Sequence, residues 1–169
     1  MAALYLDLGS AKVRIKIEQW IDQTNNDHTN KRVCCDRFSR DFTGFYSDSF
    51  LARAYFVVVP KIPKPDFPEL RQKGLGGFID MSVEGITYKN TYYVLPHVAD
   101  SLNLHFHELV HVAQWSHLGA TNFIQRYITE IQGFGYERAP LEQMACNLET
   151  HFGHGGEKVD IPNYVSKKI

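Results

Sequence analysis

The sequence predicts an α+β domain: a small sheet after one helix, then a mostly helical second half. Three observations carry this. Apolar residues recur at 3- and 4-residue spacing near the N-terminus and again after position 100. Short aromatic and β-branched runs bounded by Pro, Gly and Asn fill the middle. The chain has 169 residues, 44% of them hydrophobic and 13% aromatic, which is enough for one real core.

In order, Ser10 is a plausible N-cap for a first helix, with Val13, Ile17, Trp20 and Ile21 on one face. Thr24 to Arg32 reads as a loop. Phe38 to Ala54 suggests one or two short helices with a break near Gly44. Tyr55 to Val59 is a buried strand that Pro60 stops, and Pro60, Pro63, Pro65 and Pro68 impose an irregular connector. Phe78 to Met81 is a possible short strand after Gly74, Gly76 and Gly77. Those glycines are not a phosphate loop, because no Lys-Ser or Lys-Thr follows them. Ile86–Tyr88 and Thr91–Leu95 read as strands joined by a turn at Lys89-Asn90, or as one irregular strand. Asp100 or Ser101 caps a helix to about Leu118, which Gly119 stops. Thr121 caps the next, ended by Gly133, and Pro140 opens a last long helix ending near Gly153. The result is one domain over 1–169, with a sheet-containing half to about 97 and a helical half from about 98.

Composition excludes several classes. Eighteen basic against nineteen acidic residues gives no electrostatic footprint for nucleic acid or an anionic membrane, so neither is expected as a partner. Met1 to Asp7 has no basic stretch and no long apolar run, so no secretory signal is read and a cytoplasmic location is expected. The three cysteines, Cys34, Cys35 and Cys146, form no CxxC pair and are read as idle thiols.

The chemistry concentrates at His107-Glu108-Leu109-Val110-His111. Residues four apart share a helix face, so both imidazoles can reach one metal ion. Glu108, one residue round the helix, flanks that ion and can take a proton from a water the metal activates. With 8 histidines in 169 residues, chance supplies only about 0.02 such matches in a chain of this composition. The surrounding Phe106, Leu109, Val110, Val112 and Ala113 imply a buried helix, where two histidines need partners. Hydrogen-bonded core histidines are the bland alternative; zinc is the expected reading.

A third ligand has two candidates. His117 stands six residues after His111, but Gln114 occupies the position where a glycine would let the chain leave the helix. If the helix continues, His117 faces away. Glu142 lies on the helix that Pro140 opens, with enough intervening chain to return beside the first helix. Glu142 is favoured.

His107 to His111 followed by a glutamate on a later helix resembles the gluzincin division of the zincin metallopeptidases. Glu142-Gln143-Met144-Ala145 is similar to the Glu-x-x-Ala form around the third ligand of aminopeptidase-type members. His107 to Gln114 is also similar to small bacterial metallopeptidase-like domains reading HEL-x-HV-x-Q. The resemblance covers about residues 100 to 150. It implies a zincin-like fold, Zn2+, endopeptidase or aminopeptidase chemistry on a peptide or protein substrate, and a substrate strand along the sheet edge. Cys146 stands where thermolysin-type members carry an acid in a Glu-x-x-x-Asp pattern.

Other residues have a role and a bland alternative. Gln114 lies on the stripe of His107 and either bonds Glu142 or is a core amide. Glu149, seven after Glu142, is an acceptor for a ligand imidazole or, preferably, a solvated glutamate. Tyr136, His151, His154 and Tyr164 are open candidates for an oxyanion donor. Tyr88, Tyr92 and Tyr93 line a substrate edge or, more in keeping with strand aromatics, the core. His105 points elsewhere, and His28 and His97 carry no motif. The expectation is zinc-dependent peptide-bond hydrolysis with zinc on His107, His111 and Glu142 and with Glu108 as general base and then acid. The alternative is a catalytically idle protein of the same fold that keeps the metal for stability or partner binding.

Overall fold

The computed structural model describes residues 2–169, with side chains from Ser10 onward; Met1 and the earlier side chains, where the absence of a secretory signal is read, lie outside the described residues. Helix α1 (Ala2–Asp27) starts well before Ser10, which therefore lies inside it rather than capping it. The Ala and Leu residues ahead of Ser10 are strong helix formers, so nothing stops the helix there. Val13, Ile17 and Ile21 are buried, as their spacing requires. The helix also takes in the first residues of the expected loop, and one 3₁₀ turn (Thr29–Lys31) follows.

Strand β1 (Val33–Cys34) leads through a 3₁₀ turn to Gly44, whose φ of +84° makes the expected break, and to helix α2 (Asp48–Leu51). Strand β2 (Tyr55–Val58) ends before Pro60. The proline connector is tied to the sheet by the Tyr88 hydroxyl, which donates to the Pro63 carbonyl at 2.7 Å. Then come a single turn, α3 (Pro68–Leu70), and a short helix, α4 (Gly76–Asp80). Phe78 to Met81 is thus largely helix, not strand: the Phe78 ring packs on Tyr127 and Tyr136, at centroid distances of 6.0 and 5.7 Å, instead of joining the sheet.

Strands β3 (Gly85–Tyr88) and β4 (Thr91–Val94) form the expected hairpin. Helix α5 (Leu102–Leu118) is capped by the Ser101 hydroxyl, which accepts from the Leu104 N–H at 3.2 Å. Gly119 stops it with a φ of +77°. Helix α6 (Ala120–Phe134) then starts before Thr121 and runs past Gly133, because the left-handed residues that bound it are Gly119 and Gly135. Helix α7 (Pro140–Gly153) matches its expected limits. Its proline has no N–H and Ala139 offers no cap. Instead the buried Glu130 carboxylate of α6, itself held by Arg126 at 2.8 Å, accepts from the Leu141 N–H at 2.8 Å. A further helix, α8 (Ile161–Lys168), makes three helices after α5 rather than two. Asp160 caps it, accepting from the Asn163 N–H at 3.0 Å, with a proline in its first turn.

The four strands form one mixed sheet in the order β1-β2-β4-β3. β2 and β4 are parallel, and each outer strand is antiparallel to its neighbour. Alternation along the strands divides the core in two. Phe56, Tyr92 and Val94 face one cluster with Phe38, Phe42, Phe106 and the inner sides of α7 and α8. Val57, Tyr93, Ile86 and Tyr88 face the other with α1, Trp115 and α6. Tyr88, Tyr92 and Tyr93 are therefore core residues. Helix α5 packs against β3, α6, α7 and α8 and is buried along most of its length, as its apolar surround implies. Among the described residues no helix is long and apolar enough to cross a membrane.

Candidate metal centre

The unbroken helix α5 puts His107 and His111 one turn apart, and their Nε2 atoms lie 3.2 Å from each other. α7 packs beside α5 and delivers Glu142 to the same point. Its Oε1 is 2.9 Å from His107 Nε2 and its Oε2 is 3.1 Å from His111 Nε2. All three side chains are buried.

The outer nitrogens decide what the inner ones can do. His107 Nδ1 meets Glu149 Oε2 at 3.0 Å, and His111 Nδ1 meets Gln114 Oε1 at 2.8 Å. Gln114 spends its own N–H on the Leu141 carbonyl at 2.9 Å, which fixes its oxygen toward His111. Carboxylate and amide oxygens only accept, so each Nδ1 carries the proton. With Nδ1 so engaged, each imidazole directs its Nε2 at the other and at Glu142. Glu142 Oε2, despite its 3.1 Å approach to His111, is buried with no aligned hydrogen-bond donor. Two Nε2 atoms and a carboxylate within 3.2 Å of one another call for a cation between them, a proton or a metal ion. Donors held 2.0–2.2 Å from a tetrahedral zinc stand about 3.3–3.6 Å apart, so the atoms seen at 2.9–3.2 Å need to spread by only a few tenths of an ångström. The donor set therefore fits a metal ion.

The same arrangement also favours a proton on the imidazoles. Burial opposes charge on His107, but hydrogen bonds to Cys146, Glu142 and Glu149 push its pKa well up. His111 is raised too, since the Glu142 carboxylate outweighs its burial. Burial works against the Glu142 carboxylate, yet His111 and His107 hold it well below the usual carboxylate range.

Cys146 stands one turn after Glu142 on α7. Its sulfur, a nitrogen of His107 and an oxygen of Glu142 all lie within 4.8 Å of one another, so a second triad shares two members with the first.

Glu108 sits to one side, as the spacing predicts. Burial raises its pKa, and the two imidazoles and Thr87 pull it back. Thr87 of β3 donates to Glu108 Oε2 at 2.6 Å. Gly85 of the same strand leaves room for the carboxylate, since a Cβ there would stand 2.5 Å from Glu108 Oε1. Neither residue is marked as functional by the sequence, because strand-to-helix contacts leave no trace in local spacing. Beside Glu108, His111 and Glu142 lies a cavity of about 50 Å³ walled by Phe78, Tyr127, Tyr136 and Trp115.

Of the oxyanion candidates, Tyr136 alone lines this cavity. Burial and the Glu142 and Glu108 carboxylates push its phenol up, so it stays a hydrogen-bond donor. His151 is exposed and bonded to the Glu157 carbonyl at 2.7 Å, His154 caps α7, and Tyr164 packs on the apolar cluster beside α8. His117 is exposed at the end of α5, away from the donors. Glu149 and Gln114 serve the two imidazoles, so Gln114 bonds His111 rather than Glu142. His105 is a core residue: its Nε2 donates to the Ala99 carbonyl at 2.8 Å, and its Nδ1 meets the Tyr92 hydroxyl at 2.7 Å. His28 and His97 bond Thr24 and Glu84. Compared with family models, with curated proteins and with solved structures, the chain matches none.

Proposed function

We propose that this chain is a zinc metallopeptidase of gluzincin type, with His107, His111 and Glu142 as metal ligands. The observation that carries the reading is the convergence of two imidazole nitrogens and a carboxylate with an unpartnered oxygen on one buried point. Zinc bound there would lower the pKa of a water and polarise a peptide carbonyl. Glu108, held by Thr87 at 2.6 Å, takes the proton from the attacking water and passes it to the leaving amine. Tyr136 donates to the oxyanion that develops on the carbonyl. Glu149 and Gln114 hold the two imidazoles in the tautomer that leaves Nε2 free. The substrate is a peptide or protein lying along the β3 edge, where Gly85 and Thr87 adjoin Glu108. Neither nucleic acid nor a membrane belongs to the proposal.

The test is digestion of a broad peptide library by the zinc-replete protein and by Glu108→Gln. Loss of the general base lowers turnover by about 10²-fold or more with zinc retained. Equal turnover by the two proteins would remove Glu108 from the mechanism. One observation favours a second reading: the cavity of about 50 Å³ leaves little room for a substrate. In that reading the same ligands hold zinc for stability or for a partner, and the wild type cleaves nothing in the library.

A further inference from the structure

Helix α7 brings a donor that the three-ligand set leaves unused. Cys146 follows Glu142 by one helical turn, as His111 follows His107 on α5. Two packed helices each carry a pair of ligand-type residues four apart, and Cys146 Sγ stands with a His107 nitrogen and a Glu142 oxygen. Cys146 is distinguished from the other two thiols by its surroundings. Cys34 points at the Leu51 and Ala52 carbonyls, and Cys35 is sealed in the core against the Tyr92 hydroxyl. Cys146 alone is within 4.8 Å of both a ligand imidazole and a ligand carboxylate. Independently, the buried Glu142 Oε2 in the same group lacks a hydrogen-bond donor, which marks the place as short of a cation.

We propose that Cys146 is the fourth ligand of the metal, and that the metal-loaded protein rests closed. This rests on the ligand set proposed above. Four protein donors saturate a tetrahedral zinc, whereas hydrolysis needs the fourth position open to water. The Cys146 thiolate takes that position and its proton goes to solvent. Zn–S bonds are longer than Zn–N bonds, about 2.3 Å against 2.0–2.1 Å, so the sulfur can reach the ion from slightly farther out than the nitrogens. Opening returns a proton to the sulfur and admits water. A soft sulfur donor also tilts the site toward zinc and away from magnesium or calcium. Cys146 is partly exposed, so a thiol reagent can reach it and hold the site open.

The experiment replaces zinc with Co2+ in the full chain and reads the absorption spectrum, with bound metal measured on the same samples. The wild type is expected to show a thiolate-to-cobalt charge-transfer band in the near ultraviolet and strong visible bands of a tetrahedral ion. Cys146→Ser should keep one cobalt per chain and lose the charge-transfer band, whereas Cys34→Ser should keep the band. In the zinc-loaded wild type, iodoacetamide should modify Cys146 roughly tenfold or more slowly than in chelator-treated protein, read by peptide mass spectrometry. That arm and the wild-type spectrum decide the matter if Cys146→Ser does not fold. Bound cobalt without the band, or a band that survives Cys146→Ser, overturns the thiolate ligand and leaves the three-ligand site standing. Failure of the wild type to bind cobalt or zinc overturns both.

Discussion

Thr87 supplies Glu108 with the one hydrogen bond that a buried carboxylate on a helix of apolar neighbours cannot find on its own helix. A charge-assisted bond of this kind is worth about 1.5–3 kcal/mol. Thr87→Val keeps the shape and removes the donor, so Glu108 should drift from its working position. Turnover is expected to fall about tenfold with zinc content unchanged, and Thr87→Ser should restore most of it; equal turnover by the valine variant would take Thr87 out of the site. The role proposed for Glu108 comes from the HExxH spacing alone, but its strand partner is not readable there, because residues 21 positions apart meet only once the hairpin and α5 have packed. A second residue gives a pH test outside the site. Burial, against the pull of the Tyr92 bond, pushes the Cys35 thiol up to about 12 from its ordinary 9.0. A raised acid pKa adds stability that is complete below the unfolded value and is lost as pH rises toward the folded one. From about pH 9 upward the wild type should therefore lose about 1.4 kcal/mol per pH unit relative to Cys35→Ala. Urea unfolding of both proteins on either side of that pH checks it, and a stability gap that does not change with pH would contradict it.

Two helices make the site, and their limits were legible to different degrees. Ser101 and Gly119 bound α5 as the cap and stop signals said they would, and Pro140 opens α7. With α5 unbroken through Gln114, His117 is carried to the exposed end, while Glu142 faces the imidazoles. Glu142→Ala should weaken zinc binding by more than the 10–100-fold typical of losing an outer partner. Glu149→Ala should fall in that 10–100-fold range, and His117→Ala should change little. Competition against a chelator of known zinc affinity measures all three, and a larger loss from His117→Ala than from Glu142→Ala would reverse the ligand assignment. What fixes the start of α7 was not legible, because the Glu130 carboxylate that replaces a local cap comes from another helix. α4 and α8 escaped for a related reason. Phe78 reads as strand by propensity but packs as a helix on Tyr127 and Tyr136. Asp160 and Pro162 form a cap signal with only a short helix behind it.

At the scale of the molecule, a four-stranded mixed sheet divides two apolar clusters, and α5 contributes to both, through Phe106 and Leu109 on one side and Trp115 on the other. That shared position explains why the polar side chains of α5 have so few outlets: among its buried residues, His107, Glu108, His111 and Gln114 must satisfy one another or neighbours on β3 and α7. The α+β order and the burial of α5 follow from periodicity, since both depend on residues near one another in sequence. The strand order does not, because β2 and β4 pair in parallel across the whole connector and hairpin. In the proposal above, this buried polar cluster holds a metal ion. The most direct test of that proposal is metal analysis of protein never exposed to chelator and then equilibrated with zinc and desalted. About one zinc per chain is expected, lost in His107→Ala and in His111→Ala. A folded wild-type protein that retains no zinc would contradict the proposal.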